Sequence, residues 1–133
     1  MLISFIVPVY NTELYLEECL NSLLNQNISH DEYEIICIND GSKDSSLDIL
    51  NKYALTHSNI YVIDQQNSGV SVARNVGLEH ANGDYSGILL RSSDMSHRKL
   101  LIQNHNRQLS RPITEVTLYN GGPLYDPRPF AVQ

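Results

Sequence analysis

Asp40 is the residue whose type and place in the sequence best suit ligand chemistry. It follows the unbroken apolar run Ile35–Ile38, which predicts a strand buried on both faces, and it opens a polar loop with Gly41 and Ser42. Ligands of open parallel sheets lie in the crevice beyond the carboxyl ends of the strands, which is where Asp40 falls. Its position therefore indicates a ligand site. The structural alternative is that Asp40 only caps the next helix.

Arg74 is the second residue whose chemistry needs an explanation. It lies among small and apolar neighbours in a predicted helix that opens at Val70, where a charge without a partner is costly. Arg74 therefore either pairs with a carboxylate to brace the fold or faces the ligand crevice. Ala73 and Gly77, one turn apart, would let the helix lie close to a sheet. Because a helical glycine costs about 1 kcal/mol relative to alanine, we expect a packing reason for it.

The elements that must hold these residues alternate between strand and helix. Apolar runs predict four strands, and between them apolar residues recur at helical spacing after candidate N-cap residues. Three strand–helix units that lead into a fourth strand imply a parallel sheet with right-handed crossovers. The predicted strands are Leu2–Val9, the run from Tyr33, Ile60–Ile63 and Tyr85–Leu90, and the helices follow Thr12, start at about Ser45 and open after Gly69.

The pattern changes after the fourth strand. Met1–Asp84 contains three cations and twelve carboxylates, whereas the chain from Tyr85 onward contains six cations and three carboxylates. Leu100–Ile102 predicts a short helix, and Gly121–Gln133 is expected to be irregular or disordered. We therefore divide the chain into a domain of residues 1–95 and an atypical C-terminal segment of residues 96–133.

Composition limits the classes to which the protein can belong. A chain of 133 residues that is 41% hydrophobic suits one domain with a real core. Its net charge of −6 repels nucleic acid and anionic membranes as a whole. Cys19 and Cys37 have a spacing that suggests neither a metal site nor a disulfide, so we predict core thiols. Without a membrane-length apolar run or a signal peptide, we expect the chain in the cytoplasm, free or attached peripherally to the inner face of the membrane.

Four pieces of the sequence, in this order and spacing, resemble the family 2 glycosyltransferases, which have the GT-A fold. The resemblance extends over residues 2–85. It implies an α/β fold in which a mostly parallel sheet in Rossmann-like order is flanked by helices. The four pieces are Ile6–Asn11 (IVPVYN), Asn39–Ser46 (NDGSKDSS), Gln65–Gly77 (QQNSGVSVARNVG) and Gly83–Tyr85 (GDY).

The resemblance implies a nucleotide-sugar donor, usually UDP- or GDP-linked, across the ends of the first, second and fourth strands. Pro8, Val9 and Tyr10 would form the wall of the base pocket, and the Tyr10 ring would supply a stacking face. Asp40 would accept hydrogen bonds from the base, and Arg74 would lie near the donor phosphates or brace the carboxylates. The alternative for Tyr10 is that it only covers the core edge. These roles require the loop after the first strand and the loop of Asp40 to lie side by side at one rim.

The metal-binding part of the family pattern is altered in this chain. Family members end the fourth strand with an Asp-x-Asp or Asp-Asp cluster that binds Mn²⁺ or Mg²⁺ through oxygen ligands. Here the strand is followed by Arg91-Ser92-Ser93-Asp94, so Asp94 is the single carboxylate in that stretch. The family implies a divalent cation, with Asp94 as its candidate ligand. The alternative is that this chain holds metal weakly or not at all.

The resemblance implies a glycosyltransferase that moves a sugar from the donor to the hydroxyl of an acceptor glycan or lipid-linked sugar, in polysaccharide or glycoconjugate synthesis. The alternative is a non-catalytic remnant that at most binds nucleotide. Family enzymes continue into a half that binds the acceptor and supplies the catalytic base. We therefore assign no general base, and we hypothesise a truncated, frame-shifted or excised sequence. An exposed sheet edge favours a homodimer, and no nucleic-acid partner is expected.

Overall fold

A computed structural model of the chain describes residues 1–91 and 98–104, with side chains described as far as Ile88. Strands and helices alternate until the last two strands, which follow one another. No helix in these two ranges has the length and apolar character needed to cross a bilayer. The elements are β1 (Ile3–Val9), α1 (Leu16–Leu24), β2 (Tyr33–Asp40), α2 (Ser46–Thr56), β3 (Ile60–Gln65), α3 (Val70–His80), β4 (Tyr85–Arg91) and β5 (Arg98–Asn104).

The described strands form one sheet in the order β3-β2-β1-β4-β5. β1 is parallel to both of its neighbours, β2 and β4, and β3 is parallel to β2. The order of the four parallel strands, 3-2-1-4, is that of Rossmann-like folds. The predicted α/β class, a mostly parallel sheet flanked by helices, is therefore confirmed. Because β1 and β2 are adjacent and parallel, their carboxyl ends share one rim.

Helices cover both faces of the sheet. Alternate residues of a strand point to opposite faces, and those in phase with Ile3 join α1 and α2 in one buried cluster. Residues of the other phase, including Ile6 and Ile38, pack with Ala73 of α3. A Cβ added at Gly77 would collide with the side chains of Ile6 and Ile38. The close approach predicted from Ala73 and Gly77 is thus present.

Two local predictions are wrong. The residues Leu100–Ile102 lie in β5, antiparallel to β4, and not in a helix. The edge of β4 offers them a row of backbone partners, and such tertiary pairing outweighs a weak helical pattern. The first helix also begins later than expected, because the carbonyl of Thr12 accepts the N–H groups of Tyr15 and Leu16 in a preceding turn. Tyr15, not Thr12, is the residue before α1.

Part of the predicted C-terminal segment joins the main sheet. β5 takes Arg98–Asn104 into the sheet beside β4. Residues 92–97 and 105–133 lie outside the described part of the chain. The division at residue 95 and the irregular character of the last residues therefore stay predictions.

The two cysteines give a direct test of the buried core. Cys19 and Cys37 are both free and buried, and burial raises the pKa of the Cys37 thiol from 9.0 to about 12. We expect Ellman's reagent at about pH 8 to label neither cysteine in the native protein and both after unfolding in guanidinium chloride. Since the folded-state pKa of Cys37 is the raised one, its contribution to stability should be lost as the pH rises from 9.0 toward about 12. Rapid labelling of the native protein would contradict this packing.

Candidate nucleotide-binding rim

The loops after β1 and β2 lie side by side at the carboxyl-end rim of the sheet. β1 and β2 are paired in parallel up to Val9 and Asn39, so both loops leave the sheet at the same level. Asn11 connects them: its N–H donates to Ser42 Oγ at 3.0 Å, and its Oδ1 accepts the N–H of Lys43 at 2.8 Å. Asn11 has a left-handed φ of 54°, which asparagine tolerates better than most residues. The arrangement that the proposed base pocket requires is therefore present.

Further hydrogen bonds tie the same loops together and start the helices that follow them. The N–H groups of Thr12 and Glu13 donate to Ser46 Oγ at 3.0 Å and to Asp44 Oδ2 at 3.1 Å. In return, Glu13 Oε2 accepts the N–H of Ser45 at 3.0 Å. Asp44 Oδ1 also accepts the N–H of Ser46 at 2.9 Å, in the first turn of α2. These polar side chains thus hold the two loops together.

The Asp40 side chain is fully buried beneath the connection from β3 to α3. Its Oδ1 accepts hydrogen bonds from Gln65 Nε2 at 2.9 Å and from the N–H of Ser68 at 2.8 Å. Its Oδ2 accepts the N–H of Gly69 at 3.0 Å. The carboxylate therefore holds the segment that leads into α3. This helix lies much later in the chain than α2, which directly follows Asp40.

We call this connection the β3–α3 segment (Gln65–Gly69), and Asn67 fixes it against the backbone of β2. Asn67 Nδ2 donates to the carbonyl oxygen of Asp40 at 3.0 Å. Gly41 has a left-handed φ of 78°, and a Cβ at this residue would come within 2.8 Å of the Asn67 nitrogen. Only glycine suits both the angle and the close approach. The segment thus covers the Asp40 carboxylate in this conformation.

Pro8, Val9 and Tyr10 stand at the end of β1. Pro8 and Val9 are buried and Tyr10 is partly exposed. The Val9 side chain belongs to the cluster beneath α1 and α2, so Val9 offers only its backbone to the rim. Pro8 alternates with Val9 and lies on the face of α3, the face that also carries Asp40. The structure therefore brings Pro8, Tyr10 and Asp40 to one rim.

Arg74 lies on α3, one residue after Ala73, which packs against the sheet. Its side chain is partly exposed. The Arg74 Nε is buried and has no hydrogen-bond partner among the residues that the structure describes. An unpaired buried donor costs about 1–3 kcal/mol. The Nε–H group is therefore available to a hydrogen-bond acceptor from outside the described residues.

Sequence patterns did not indicate the partners of Asp40. The register of β2 with β3 pairs Asn39 with Asp64 and Asp40 with Gln65. Each pair combines one amide with one carboxylate, and Asn39 Nδ2 donates to Asp64 Oδ1 at 2.9 Å on the face opposite Asp40. The available signal was this alternation of amide and carboxylate at two strand ends. It becomes informative only when the register is known.

Glu34 is a buried carboxylate at the other end of the sheet, and its contacts are structural. Its side chain accepts hydrogen bonds from Ser4 Oγ at 2.6 Å and from the N–H of Asn82 at 2.7 Å. Ser4 Oγ accepts the N–H of Gly83 at 2.8 Å. These bonds join β1 and β2 to the turn before β4. Glu34 therefore braces the start of β4, away from the rim of Asp40.

The described residues contain no cluster of metal-binding side chains. Within residues 1–91 and 98–104 there is no group of three or more His, Cys, Asp or Glu that could hold a metal ion. Asp94, the predicted ligand, lies outside the described residues. The residue that ends β4 is the cation Arg91. The role of Asp94 as a cation ligand therefore stays a prediction.

Known proteins are similar to this chain in sequence. A family model described as glycosyl transferase family 2 matches residues 4–112. The poly(ribitol-phosphate) beta-glucosyltransferase of Bacillus spizizenii is 46% identical over 96 residues, which are 71% of this chain and 15% of that protein. An uncharacterized glycosyltransferase of Haemophilus influenzae is 40% identical over 111 residues, which are 78% of this chain and 44% of that protein.

Solved structures give the same result. S. aureus TarS 1–349 in complex with UDP-GlcNAc is 38% identical with a TM-score of 0.63, over 67% of this chain and 26% of that one. The mannosyltransferase PcManGT from Pyrobaculum calidifontis, in complex with GDP-Man and Mn²⁺, is 25% identical with a TM-score of 0.61, over 70% and 29%. The chain spans less than half the length of each of these four relatives. The family match, the relatives and the sheet order together show that this chain belongs to glycosyl transferase family 2 and has the GT-A fold.

Proposed function

We propose that this chain is the donor-binding part of a glycosyltransferase that transfers a sugar from a nucleotide sugar to an acceptor hydroxyl. Membership of the family supports this proposal. The observation that carries it is that the β1 and β2 loops share one rim of the sheet, next to α3. On α3, the Arg74 Nε is buried and has no described hydrogen-bond partner. Two of the structural neighbours are complexes, one with UDP-GlcNAc and one with GDP-Man. We therefore propose UDP or GDP as the nucleotide.

The base is proposed to lie against Pro8, the Val9 backbone and Tyr10. The partly exposed ring of Tyr10 offers a stacking face. Asp40 is the proposed acceptor, because uracil and guanine each present an N–H group that a carboxylate can bind. In the described conformation its oxygens already accept hydrogen bonds from the β3–α3 segment. A base N–H at Asp40 would therefore take the place of one of these bonds.

Arg74 is proposed to bind the donor diphosphate. A guanidinium presents a planar fork of N–H donors that matches phosphate oxygens. Because the whole chain carries a net charge of −6, a diphosphate site needs a local cation. The Arg74 Nε–H group has no described hydrogen-bond partner, so it is free to donate to a phosphate oxygen.

In the proposed reaction the acceptor oxygen forms a bond to the anomeric carbon while the bond from that carbon to the diphosphate breaks. The nucleoside diphosphate leaves with the bonding electrons, and Arg74 would stabilise its growing negative charge. A divalent cation, when bound, supplies the same kind of stabilisation. From its place after β4, we propose Asp94 as a ligand of such a cation. No residue is assigned to take the proton of the acceptor hydroxyl.

Two partners complete the proposal. The acceptor would be a glycan or a lipid-linked sugar, in line with the polymer named in the Bacillus relative. We also propose a homodimer formed along β3, since β3 ends the described sheet and Tyr61 on it is 52% exposed. An unpaired strand edge offers backbone groups to a second copy.

Thermal unfolding with nucleotides tests the proposed function. UDP or GDP at about a hundred times its dissociation constant should raise the stability by about 2.7 kcal/mol, a shift of several degrees. Replacing Tyr10 by alanine should reduce the shift, and Leu55→Ala, at an exposed residue of α2 that has no proposed role, serves as the control. No shift with UDP, GDP or their sugars would contradict the proposal.

The same titration with and without Mn²⁺ distinguishes the enzyme from a nucleotide-binding remnant. Residues 1–91 and 98–104 contain no group of three or more His, Cys, Asp or Glu that could hold a metal ion, and the candidate ligand Asp94 lies outside them. If the chain retains the family chemistry, Mn²⁺ should tighten UDP binding, and Asp94→Asn should remove the tightening. Equal affinity with and without Mn²⁺ would instead support the remnant.

A further inference from the structure

We propose that Arg91 and Arg98, at directly opposite register positions of the β4–β5 ladder, form an anion site for the donor diphosphate. We call these two residues the cation pair. The inference rests on the proposed function, in which the donor is a nucleotide sugar. It concerns binding in the absence of a divalent cation, so it does not depend on the role of Asp94.

The cation pair lies at the same rim of the sheet as the proposed base pocket. β1 and β4 pair in parallel as far as Ile6 and Ile88. Each strand continues for three more residues, β1 to Val9 and β4 to Arg91, so both strands end at the same level. Neighbouring strands are about 4.8 Å apart, which puts the position of Arg98 on β5 about 10 Å from the end of β1. A diphosphate joined to a nucleoside in the base pocket can therefore extend along the rim to the pair.

The strand register places like charges opposite one another. β4 pairs antiparallel with β5, and Arg91 is the register partner of Arg98. Opposite residues of an antiparallel pair are about 5 Å apart, and like charges at such positions destabilise a sheet. The next position pairs Leu90 with Lys99, which brings a third cation to this end of the ladder. The ladder therefore carries an electrostatic cost that a bound anion would reduce.

Nearby carboxylates do not balance these charges. Residues 91–99 contain three cations and a single carboxylate, Asp94. The described carboxylates of the rim already accept hydrogen bonds. Asp44 and Glu13 accept N–H groups of the two loops and of the start of α2. Asp40 accepts three hydrogen bonds from the β3–α3 segment. An anionic ligand is therefore the partner that suits this end of the ladder.

Two arginines at neighbouring backbone positions suit a diphosphate. A guanidinium presents a planar fork of N–H donors that can bind two phosphate oxygens at once. Two such residues offer one fork to each phosphate group. When the bond from the anomeric carbon to the diphosphate breaks, their charge stabilises the leaving group. The cation pair should therefore contribute to binding of the diphosphate and not of the nucleoside.

Charge reversal at Arg98 tests the inference through two effects of opposite sign. Arg98→Glu puts an opposite charge across from Arg91, so the ligand-free protein should melt about one to three degrees higher than the wild type. Calorimetry in EDTA should show UDP bound at least about tenfold more weakly. Arg98→Gln should give both effects with the same signs and smaller sizes. Unchanged UDP affinity, or weaker binding together with a lower melting temperature, would overturn the inference.

Inorganic pyrophosphate separates the anion site from the base pocket. In EDTA, pyrophosphate should raise the melting temperature of the wild type and not that of Arg98→Glu. Tyr10→Ala should keep the pyrophosphate shift, because the Tyr10 ring is proposed to contact only the base. A pyrophosphate shift that Arg98→Glu retains would place the anion elsewhere and would overturn the inference.

Lys52→Gln is the matched control for net charge. The Lys52 side chain is 72% exposed on α2 and has a 3.9 Å contact with Glu17, so its loss should affect stability little. It changes the charge by as much as Arg98→Gln, yet UDP affinity should change less than about twofold. A tenfold loss in this variant would show that net charge alone suffices and would overturn the inference. A wild type that binds neither UDP nor GDP ends the proposed function itself, whereas a UDP affinity that Arg98→Glu shares with the wild type ends only this inference.

Discussion

Asp40→Ala should lower the free energy of unfolding by about 3 kcal/mol. The substitution leaves Gln65 Nε2 and the N–H groups of Ser68 and Gly69 without their acceptor in a part-buried place. It also removes the negative charge at the start of α3. Equilibrium unfolding in urea measures the loss as a lower midpoint with an unchanged slope.

Asp48→Ala is the matched control for this loss. Asp48 is an exposed aspartate in the first turn of α2, and its removal should cost no more than about 0.5 kcal/mol. If the two variants unfold at the same urea concentration, the hydrogen bonds to Asp40 do not hold the β3–α3 segment.

Gly83→Ala should destabilise the fold by at least about 3 kcal/mol. A Cβ at Gly83 would lie 2.6 Å from the Ser4 nitrogen and 2.7 Å from the carbonyl carbon of Ile3. These are backbone atoms of β1, which is paired on both sides, so they cannot move without breaking the sheet. The shift would also strain the hydrogen bond from the Gly83 N–H to Ser4 Oγ. Thermal unfolding should show the loss as a drop of roughly ten degrees.

Gly77→Ala provides the same chemical change in a different environment. Its added Cβ would meet the side chains of Ile6 and Ile38, not backbone. Side chains can change rotamer, and alanine gains about 1 kcal/mol over glycine inside a helix. Gly77→Ala should therefore cost less than Gly83→Ala, and the reverse order would contradict this account of the two sites.

The parallel strands were predictable because a short, unbroken apolar run is compatible with few structures other than a buried strand. Ile3–Val9 and Tyr33–Asp40 are buried at every residue, the signature of central parallel strands. β5 was not predictable, because Lys99–Ile102 contains a short apolar stretch without a decisive period. No local pattern identifies β4 as the partner of that stretch. Tertiary contacts, and not the local sequence, decide the pairing of Leu100 with Leu89.

The candidate site could be located from the sequence but not assembled from it. Asp40 and Pro8 were placed at one rim because parallel strands end together. The enclosure of Asp40 was not predictable, since two of its three described donors are backbone N–H groups, of Ser68 and Gly69. Every residue except proline carries a backbone N–H group, so no pattern of side chains in the sequence indicates which of these groups will bind Asp40.

The place of β1 between β2 and β4 has a consequence for biosynthesis. β1 leaves the ribosome before either neighbour, and β4 is made only after α1, β2, α2, β3 and α3. Until Tyr85–Arg91 has emerged, one edge of β1, which is buried at every residue in the finished fold, has no β4 to pair with. Such an edge is a site of aggregation in a nascent chain. Slow translation before Tyr85 should therefore lower the yield of native protein, and chaperones at the tunnel exit should raise it.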